Sequence, residues 1–197
     1  MRRMVIQFIG IMLVCALLVA NYATSAASER TREENGSPGG LNLREFFNTN
    51  MYIWTFLTTA NGTNKCQVDK KEFINATDVY FTRTDRTRTA TVIASLHGKF
   101  DVNQPYGMEV GPKLGKANGR EELLYQAQRK SCGVFGLRHI TNGTQYHAYD
   151  VRVRGYGGKV SAQKCLDWFN ETYPEQTFKR QLYTSSCKSI TRIRWVG

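Results

Sequence analysis

Eight consecutive strand-like segments, separated by turn motifs, limit the fold of this chain more than any other feature. The segments are rich in β-branched and aromatic residues, and Gly, Asn, Asp and Pro cluster between them. They cover residues 52–59, 66–73, 78–83, 89–98, 106–110, 121–127, 132–140 and 146–155. Because short connections join consecutive segments, we predict an all-β, antiparallel up-and-down sheet. Eight such strands can close into a barrel that has no free edge and holds one small ligand.

A helix is predicted after the eighth strand, where the spacing of apolar residues changes to that of a helix. In residues 161–172 the apolar side chains fall on one helical face: Ala162, Cys165, Leu166 and Phe169. Ser161 can cap the N-terminus, and Pro174 ends the pattern. We expect this C-terminal α-helix to pack against the barrel wall. A shorter helical turn is predicted at residues 41–47, before the first strand.

The N-terminal residues are typical of a secretory signal peptide. Arg2 and Arg3 precede an apolar run over residues 4–20, and small residues suited to cleavage lie near Ala26. We therefore expect residues 1–26 to be removed and the protein to be secreted and extracellular.

The rest of the chain is expected to form one domain. Residues 27–40 are polar and Gly-rich and should be flexible, residues 41–190 should form the barrel domain, and residues 191–197 a C-terminal tail.

The formal charge of +11 falls to +9 when the signal peptide, which contains two arginines and no acid, is removed. This excess favours anionic partners. However, the basic clusters at 83–88 and 188–194 are short and interrupted, so we predict no nucleic-acid partner. No stretch after the signal peptide is long and apolar enough to span a bilayer, so we predict no membrane partner.

Cysteines and glycosylation sequons fit a secreted chain. Four cysteines remain beyond the signal peptide: Cys66, Cys132, Cys165 and Cys187. An even count indicates two disulfides, with three possible connectivities, and the absence of a C-x-x-C motif disfavours a metal site. Five Asn-x-Ser/Thr sequons predict a glycoprotein: Asn35, Asn61, Asn75, Asn142 and Asn170.

The sequence contains no recognisable catalytic motif, and we expect neither an enzyme nor a cofactor. The sequence has no G-x-S-x-G, H-E-x-x-H or glycine-rich phosphate loop. Among the three histidines, His139 shares a strand face with Phe135 and Leu137, which is typical of a core or cavity histidine. Trp54 is interpreted as a residue that packs the barrel floor or stacks on a ligand.

The eighth segment is ambiguous because both of its faces fit a strand. Side chains alternate along a strand, so Tyr149, Val151 and Val153 lie on one face and Asp150, Arg152 and Arg154 on the other. From these residues alone, the charged face is expected in solvent. If it points inward, each charge needs a partner, a wet cavity or a ligand.

Several stretches resemble the tick salivary lipocalins, the family that includes the tick histamine-binding proteins. They are FFNTNMYIWTFLTTANGTNKCQVD (46–69), CGVF (132–135), YDVRVRG (149–155), KCLDWF (164–169) and LYTSSC (182–187). The resemblance covers about residues 41–190 and implies an eight-stranded lipocalin barrel with a C-terminal helix. It also implies the disulfides Cys66–Cys187 and Cys132–Cys165, and it places Asp150 and Arg152 in the cavity.

The same resemblance implies a ligand but leaves its class open. Family members that bind amines carry a carboxylate after the first cysteine of the frame and an aromatic residue two positions after the later acid. Here Gly133 and Arg152 occupy those positions, and Asp150 is retained. A biogenic amine such as histamine or serotonin is favoured by the family, and a lipid acid such as a leukotriene by Gly133 and Arg152. A third alternative is that Asp150 and Arg152 pair with each other and bind nothing.

These observations predict a secreted lipocalin that sequesters a small host inflammatory mediator and so suppresses host defence. The expected ligand-binding residues are Asp150, Arg152, Trp54, Phe135, Leu137 and His139. The alternative function is binding of a host protein, such as a complement or haemostasis component, or of an anionic surface through the basic outer face.

Overall fold

Eight antiparallel strands close into a barrel in the computed structural model, which describes residues 40–140 and 146–192. The strands are β1 (Ile53–Thr58), β2 (Cys66–Ile74), β3 (Asp78–Arg86), β4 (Thr91–Phe100), β5 (Gly107–Pro112), β6 (Gly119–Gln126), β7 (Cys132–His139) and β8 (Ala148–Arg154). Each strand pairs with the next, and β1 pairs with both β8 and β2, which closes the barrel. The predicted eight-stranded up-and-down barrel with a following helix is confirmed.

The strand bounds differ from the predicted ones by a few residues. The largest difference is in β3, which continues to Arg86 although the sequence after Arg83 is typical of a turn. The ladder persists because Asp85 pairs with Val92 and Arg86 with Thr91. The predicted signal peptide, Asn35 and Asn142 lie outside the described residues.

A short helix closes one end of the barrel. Helix α1 (Leu43–Phe47) begins at Asn42, whose Oδ1 accepts a hydrogen bond from the backbone N–H of Glu45 at 3.0 Å. The ring of Phe46 lies edge-on to Phe135, with centroids 5.2 Å apart. The α1 side chains Leu43, Phe46 and Phe47 are fully buried in the interior, and burying an aromatic side chain contributes about 1.5–3 kcal/mol. We call this the closed end, and the opposite one the far end.

A second helix covers the outside of the barrel. Helix α2 (Lys159–Thr172) packs on β7 and β8 and is bonded to the wall by the disulfide Cys132–Cys165. Its N-cap is Gly158 and not the predicted Ser161, because the Gly158 carbonyl already accepts the N–H of Ala162. The helix and the strands share an apolar outer cluster that includes the side chains Val134, Val151, Val153, Ala162 and Phe169.

The chain then returns along the barrel. A two-residue strand, β9 (Arg180–Gln181), pairs with the end of β1, and a 3₁₀ helix (Ser185–Arg192) follows. The disulfide Cys66–Cys187 ties this segment to β2. Both disulfides implied by the family resemblance are therefore present. Closing loops with sequence separations of 121 and 33 residues stabilises by about 5 and about 4 kcal/mol in the chain-entropy model.

No helix within the described residues is long and apolar enough to span a membrane.

Candidate functional site

The charged face of β8 points into the barrel. Val151 and Val153 belong to the outer cluster under α2, whereas Asp150 and Arg152 are buried on the opposite face, with Arg152 fully inaccessible to solvent. The strand is thus covered on both sides, which explains why its sequence fits both orientations. The orientation implied by the family resemblance is the observed one.

Five charged side chains from four strands meet inside the barrel and form an interior ion cluster. Its members are Asp69 on β2, Arg83 on β3, Glu121 on β6, and Asp150 and Arg152 on β8. The positions follow from the register: Asp69 pairs with Arg83, and both Asp69 and Arg152 pair with inward-facing residues of β1. Side chains of paired residues share a face of the sheet, so the cluster lies across the barrel interior.

Arg152 is engaged on all sides within this cluster. Its Nε and Nη2 donate to Asp150 Oδ2 at 3.1 and 2.9 Å, and its Nη1 donates to Glu121 Oε2 at 2.5 Å. The guanidinium also lies 4.5 Å from the ring centroid of Phe135, within cation–π range. The third sequence alternative, an Asp150–Arg152 pair, therefore exists, but as part of a larger network.

Arg83 closes the network on the opposite wall. Its Nε and Nη2 donate to the two oxygens of Asp69 at 2.7 and 2.8 Å, and Nη2 also donates to Glu121 Oε1 at 3.1 Å. Three members of the cluster were not predicted as site residues: Arg83, Asp69 and Glu121. The pattern Val79, Phe81, Arg83 puts a cation on the apolar face of β3, and this was the available indication.

Carboxylates exceed guanidinium groups in the cluster. Among the described residues that form it, the three carboxylates and two guanidinium groups leave one net negative charge. Asp85, two residues after Arg83 on the same face of β3, adds a further carboxylate toward the far end and accepts from the side-chain amides of Gln67 and Asn64 at 2.9 and 3.1 Å. The far-end half of the barrel interior therefore carries a net negative charge.

The pKa of Glu121 reports the strength of the network. Burial by itself raises the pKa of this carboxyl, but attraction to Arg152 and Arg83 and their hydrogen bonds outweigh it and lower the pKa to about 2. Burial alone would lower the pKa of Arg152, and Glu121 and the other carboxylates raise it instead. Glu121 and Arg152 are therefore both ionised at neutral pH.

A hydroxyl extends the cluster toward the far end. Thr58, at the end of β1, donates from Oγ1 to Asp150 Oδ1 at 2.7 Å. This oxygen does not bond to Arg152, which binds Oδ2. An ionised carboxylate oxygen has room for about two hydrogen bonds. Asp150 Oδ1 therefore retains capacity to accept a further donor.

Phe135 and Leu137 face the interior as predicted, on opposite sides of this layer. Phe135 packs under Arg152 and against Phe46 at the closed end. Leu137 is half-buried, pairs with Glu121 and packs against the interior apolar cluster. Arg152 covers one face of the Phe135 ring, and Phe46 lies edge-on to it. Phe135 therefore supports Arg152 from the closed-end side of the layer.

Two predicted ligand-binding residues do not lie in the barrel interior. Trp54 follows an inward-facing Ile53, so its ring points outward, where it packs edge-on to Tyr183 and donates Nε1–H to the Gly155 carbonyl at 2.9 Å. His139 is exposed at the end of β7 and stacks on His147, with ring centroids 4.4 Å apart. The strand carries His139 beyond the covered interior.

Gly133 lies below the cluster in a filled, apolar region. A Cβ at this position would come within 2.7 Å of Leu123 Cδ1 and 3.1 Å of Phe135 Cε2 and Phe46 Cε2. A carboxylate here, as in the amine-binding relatives implied by the sequence, would require these three apolar side chains to move. The closed-end half of the barrel is therefore packed, and the polar half faces the far end.

Solved structures with this architecture are lipocalins. Lobster apocrustacyanin A1 superposes with a TM-score of 0.56 at 13% identity, covering 76% of this chain and 84% of that chain. The siderocalin Ex-FABP gives 0.52 at 12% identity, covering 68% and 93%, and insecticyanin from the tobacco hornworm gives 0.50 at 8% identity, covering 75% and 85%. The chain has the lipocalin fold. No family model and no curated protein matches the sequence of this lipocalin barrel.

Proposed function

We propose that this lipocalin-fold protein binds a small organic cation of the biogenic-amine class in the far-end half of its barrel and sequesters it without chemistry. The observation that carries the proposal is the excess of carboxylates over guanidinium groups in the interior ion cluster, with Asp85 next to it. A ligand of charge +1 would neutralise the cluster. An anionic ligand would add to the excess charge.

The contacts of Arg152 argue against a lipid acid. Its guanidinium already donates to Asp150 and Glu121 and stacks on Phe135, so a ligand carboxylate would have to displace a buried acid. Displacement would leave that acid unpaired, at a cost of several kcal/mol. Arg152 is therefore a poor receptor for an anion. The carboxylates that bind it can still accept further hydrogen bonds.

An ammonium group can use that capacity directly. Its N–H groups would donate to Asp150 Oδ1, which Thr58 leaves half-occupied, and to nearby carboxylate oxygens. Each charge-assisted hydrogen bond contributes about 1.5–3 kcal/mol when water is excluded. Because Arg152 and Arg83 lie over the rings of Phe135 and Phe81, recognition would rest on hydrogen bonds and charge more than on cation–π contacts.

The proposed setting is extracellular. The predicted signal peptide and the two disulfides support secretion, because disulfides persist in oxidising compartments. Among the structural neighbours, the siderocalin Ex-FABP is described as functioning through dual ligand specificities. A secreted barrel of this kind would remove a host mediator by mass action, and this would suppress host defence as the family resemblance implies.

Calorimetry with histamine, serotonin and a leukotriene tests the proposal. We expect an amine to bind with a dissociation constant below about 1 μM, and Asp150→Asn to weaken it at least about tenfold, or about 1.4 kcal/mol. Glu171→Gln, an exposed carboxylate on α2, is the matched control and should leave affinity unchanged. Binding of the leukotriene alone, or of none of the three ligands, would refute the proposal.

A further inference from the structure

A basic groove lies on the outside of the barrel, at the far end. Its walls are the β1–β2 connection, the β3–β4 turn and the segment from β9 to the 3₁₀ helix, and it encloses about 1100 Å³. Four cationic side chains line it: Lys65, Arg86, Arg88 and Arg180. A second hollow of about 370 Å³ shares Arg86 and Arg88, so these two arginines stand between adjoining depressions.

The groove is cationic without compensation from its own walls. Among the described residues that line it, none is Asp or Glu, and the remaining polar side chains are hydroxyl or amide groups that can donate hydrogen bonds. Asp85, adjacent in sequence to Arg86, points to the opposite face of β3, where Gln67 and Asn64 bond to it. The strand therefore separates an anionic interior from a cationic exterior.

Two of the four cations are held in place. Arg180 donates to the Ala60 carbonyl, the Asn64 carbonyl and Asn64 Oδ1 at 3.0, 3.0 and 3.1 Å, which leaves two of its five N–H groups available. Arg86 donates one N–H to Ser189 Oγ at 2.7 Å. The disulfide Cys66–Cys187 joins the opposite walls. An anion therefore meets donors that are already ordered, which lowers the entropic cost of binding.

We propose that this basic groove binds a chain of sulfated polysaccharide. Four cationic side chains in one groove, two of them held in place, match a polymer that carries several sulfates. Nucleic acids are less well matched, because no aromatic side chain is among the described residues that line the groove, and base stacking needs such a platform. The extracellular setting that the disulfides support is also where sulfated polysaccharides occur.

Binding of a size-defined heparin oligosaccharide at physiological ionic strength tests this site. Arg86→Glu combined with Arg88→Glu should weaken binding at least about tenfold. The matched control, Lys116→Glu combined with Lys159→Glu, makes the same change in net charge at exposed positions outside the groove. It should weaken binding no more than about threefold, since only long-range attraction is lost.

Three outcomes would overturn the proposal. Equal losses in the two double variants would mean that binding follows net charge and not the groove. Equal competition by unsulfated hyaluronan would remove the sulfate requirement, and tighter binding of a single-stranded DNA of matched charge would favour nucleic acid. A footprint on the wild-type protein serves if a variant fails to fold: heparin should slow acetylation of Lys65 and leave that of Lys159 unchanged, and the absence of this difference would refute the site.

Discussion

The two halves of the barrel interior are built on opposite principles. At the closed end, α1 and the surrounding strands pack apolar side chains such as Phe46, Phe47 and Leu123, all fully buried. Toward the far end, the interior is a layer of paired charges with an excess of carboxylates. Burial of apolar area stabilises the fold outright, whereas buried ion pairs return little net stability after desolvation. The comparison indicates that the closed half contributes most of the stability, and under our proposal the far half recognises the ligand.

Replacing Arg152 in the charged half should have the largest effect on the free energy of unfolding. Arg152→Ala leaves Asp150 and Glu121 without the cation they share, and loss of one partner from a buried ion pair typically costs about 3–5 kcal/mol. We expect the free energy of unfolding, measured by urea denaturation, to fall by about 4 kcal/mol. Arg88→Ala, at an exposed position, is the control and should change it by less than about 0.5 kcal/mol. A loss below about 1 kcal/mol for Arg152→Ala would mean that the cluster is not dry.

Acid should weaken the far half selectively, through Glu121. Its pKa is about 2 in the folded protein against an ordinary value of 4.5, so the unfolded chain takes up the proton first as pH falls. The stabilisation by Glu121 is therefore complete above about pH 4.5, declines below it and is lost near pH 2, a difference of about 3 kcal/mol.

Comparing Glu121→Gln with Glu171→Gln at several pH values isolates the contribution of the Glu121 carboxylate to stability. Glu121→Gln should reduce the free energy of unfolding at pH 7 and have a progressively smaller effect between pH 4.5 and pH 2.5. Glu171→Gln, which is exposed, should have little effect at either pH. A cost of Glu121→Gln that does not vary with pH would show that the pairing with Arg152 and Arg83 does not hold this carboxylate ionised.

The sequence predicted the closed barrel better than it predicted the charged layer. Turn motifs and strand lengths determine an up-and-down barrel, and the helical spacing of Ala162, Cys165 and Phe169 determines α2, because both depend on local periodicity. Side-chain direction depends on what covers each face. Residues of β8 are buried on both faces, and in β1 the register shifts between Thr55 and Leu57, so alternation alone could not be followed along the strand.

The members of the ion cluster were harder to predict for a related reason. Asp69, Arg83 and Glu121 are far apart in the sequence and meet only through the strand register. A charged residue in a strand is usually on the solvent side, so each one alone favours an exposed position. Only Asp150 and Arg152 were anticipated, because a family resemblance and not a pattern placed them in the interior. Trp54 and His139 were misplaced because aromatic character does not indicate which side of the wall a side chain occupies.

The smallest expected effect tests whether the closed half has room for a second ligand. Gly133→Ala puts a methyl group 2.7 Å from Leu123 Cδ1 and 3.1 Å from two aromatic carbons, and overpacking of this kind costs about 1–3 kcal/mol. Because the end of a Leu side chain can shift, we expect a loss of about 2 kcal/mol in the free energy of unfolding. Gly40→Ala, where nothing lies within 4 Å, is the control and should be close to neutral. Amine affinity should stay within about twofold of the wild type for Gly133→Ala, since the three nearest atoms to the new methyl group are apolar carbons of Leu123, Phe135 and Phe46 and none belongs to a carboxylate. A stable Gly133→Ala variant with weakened amine binding would mean that the space beside Gly133 is open and belongs to the binding site.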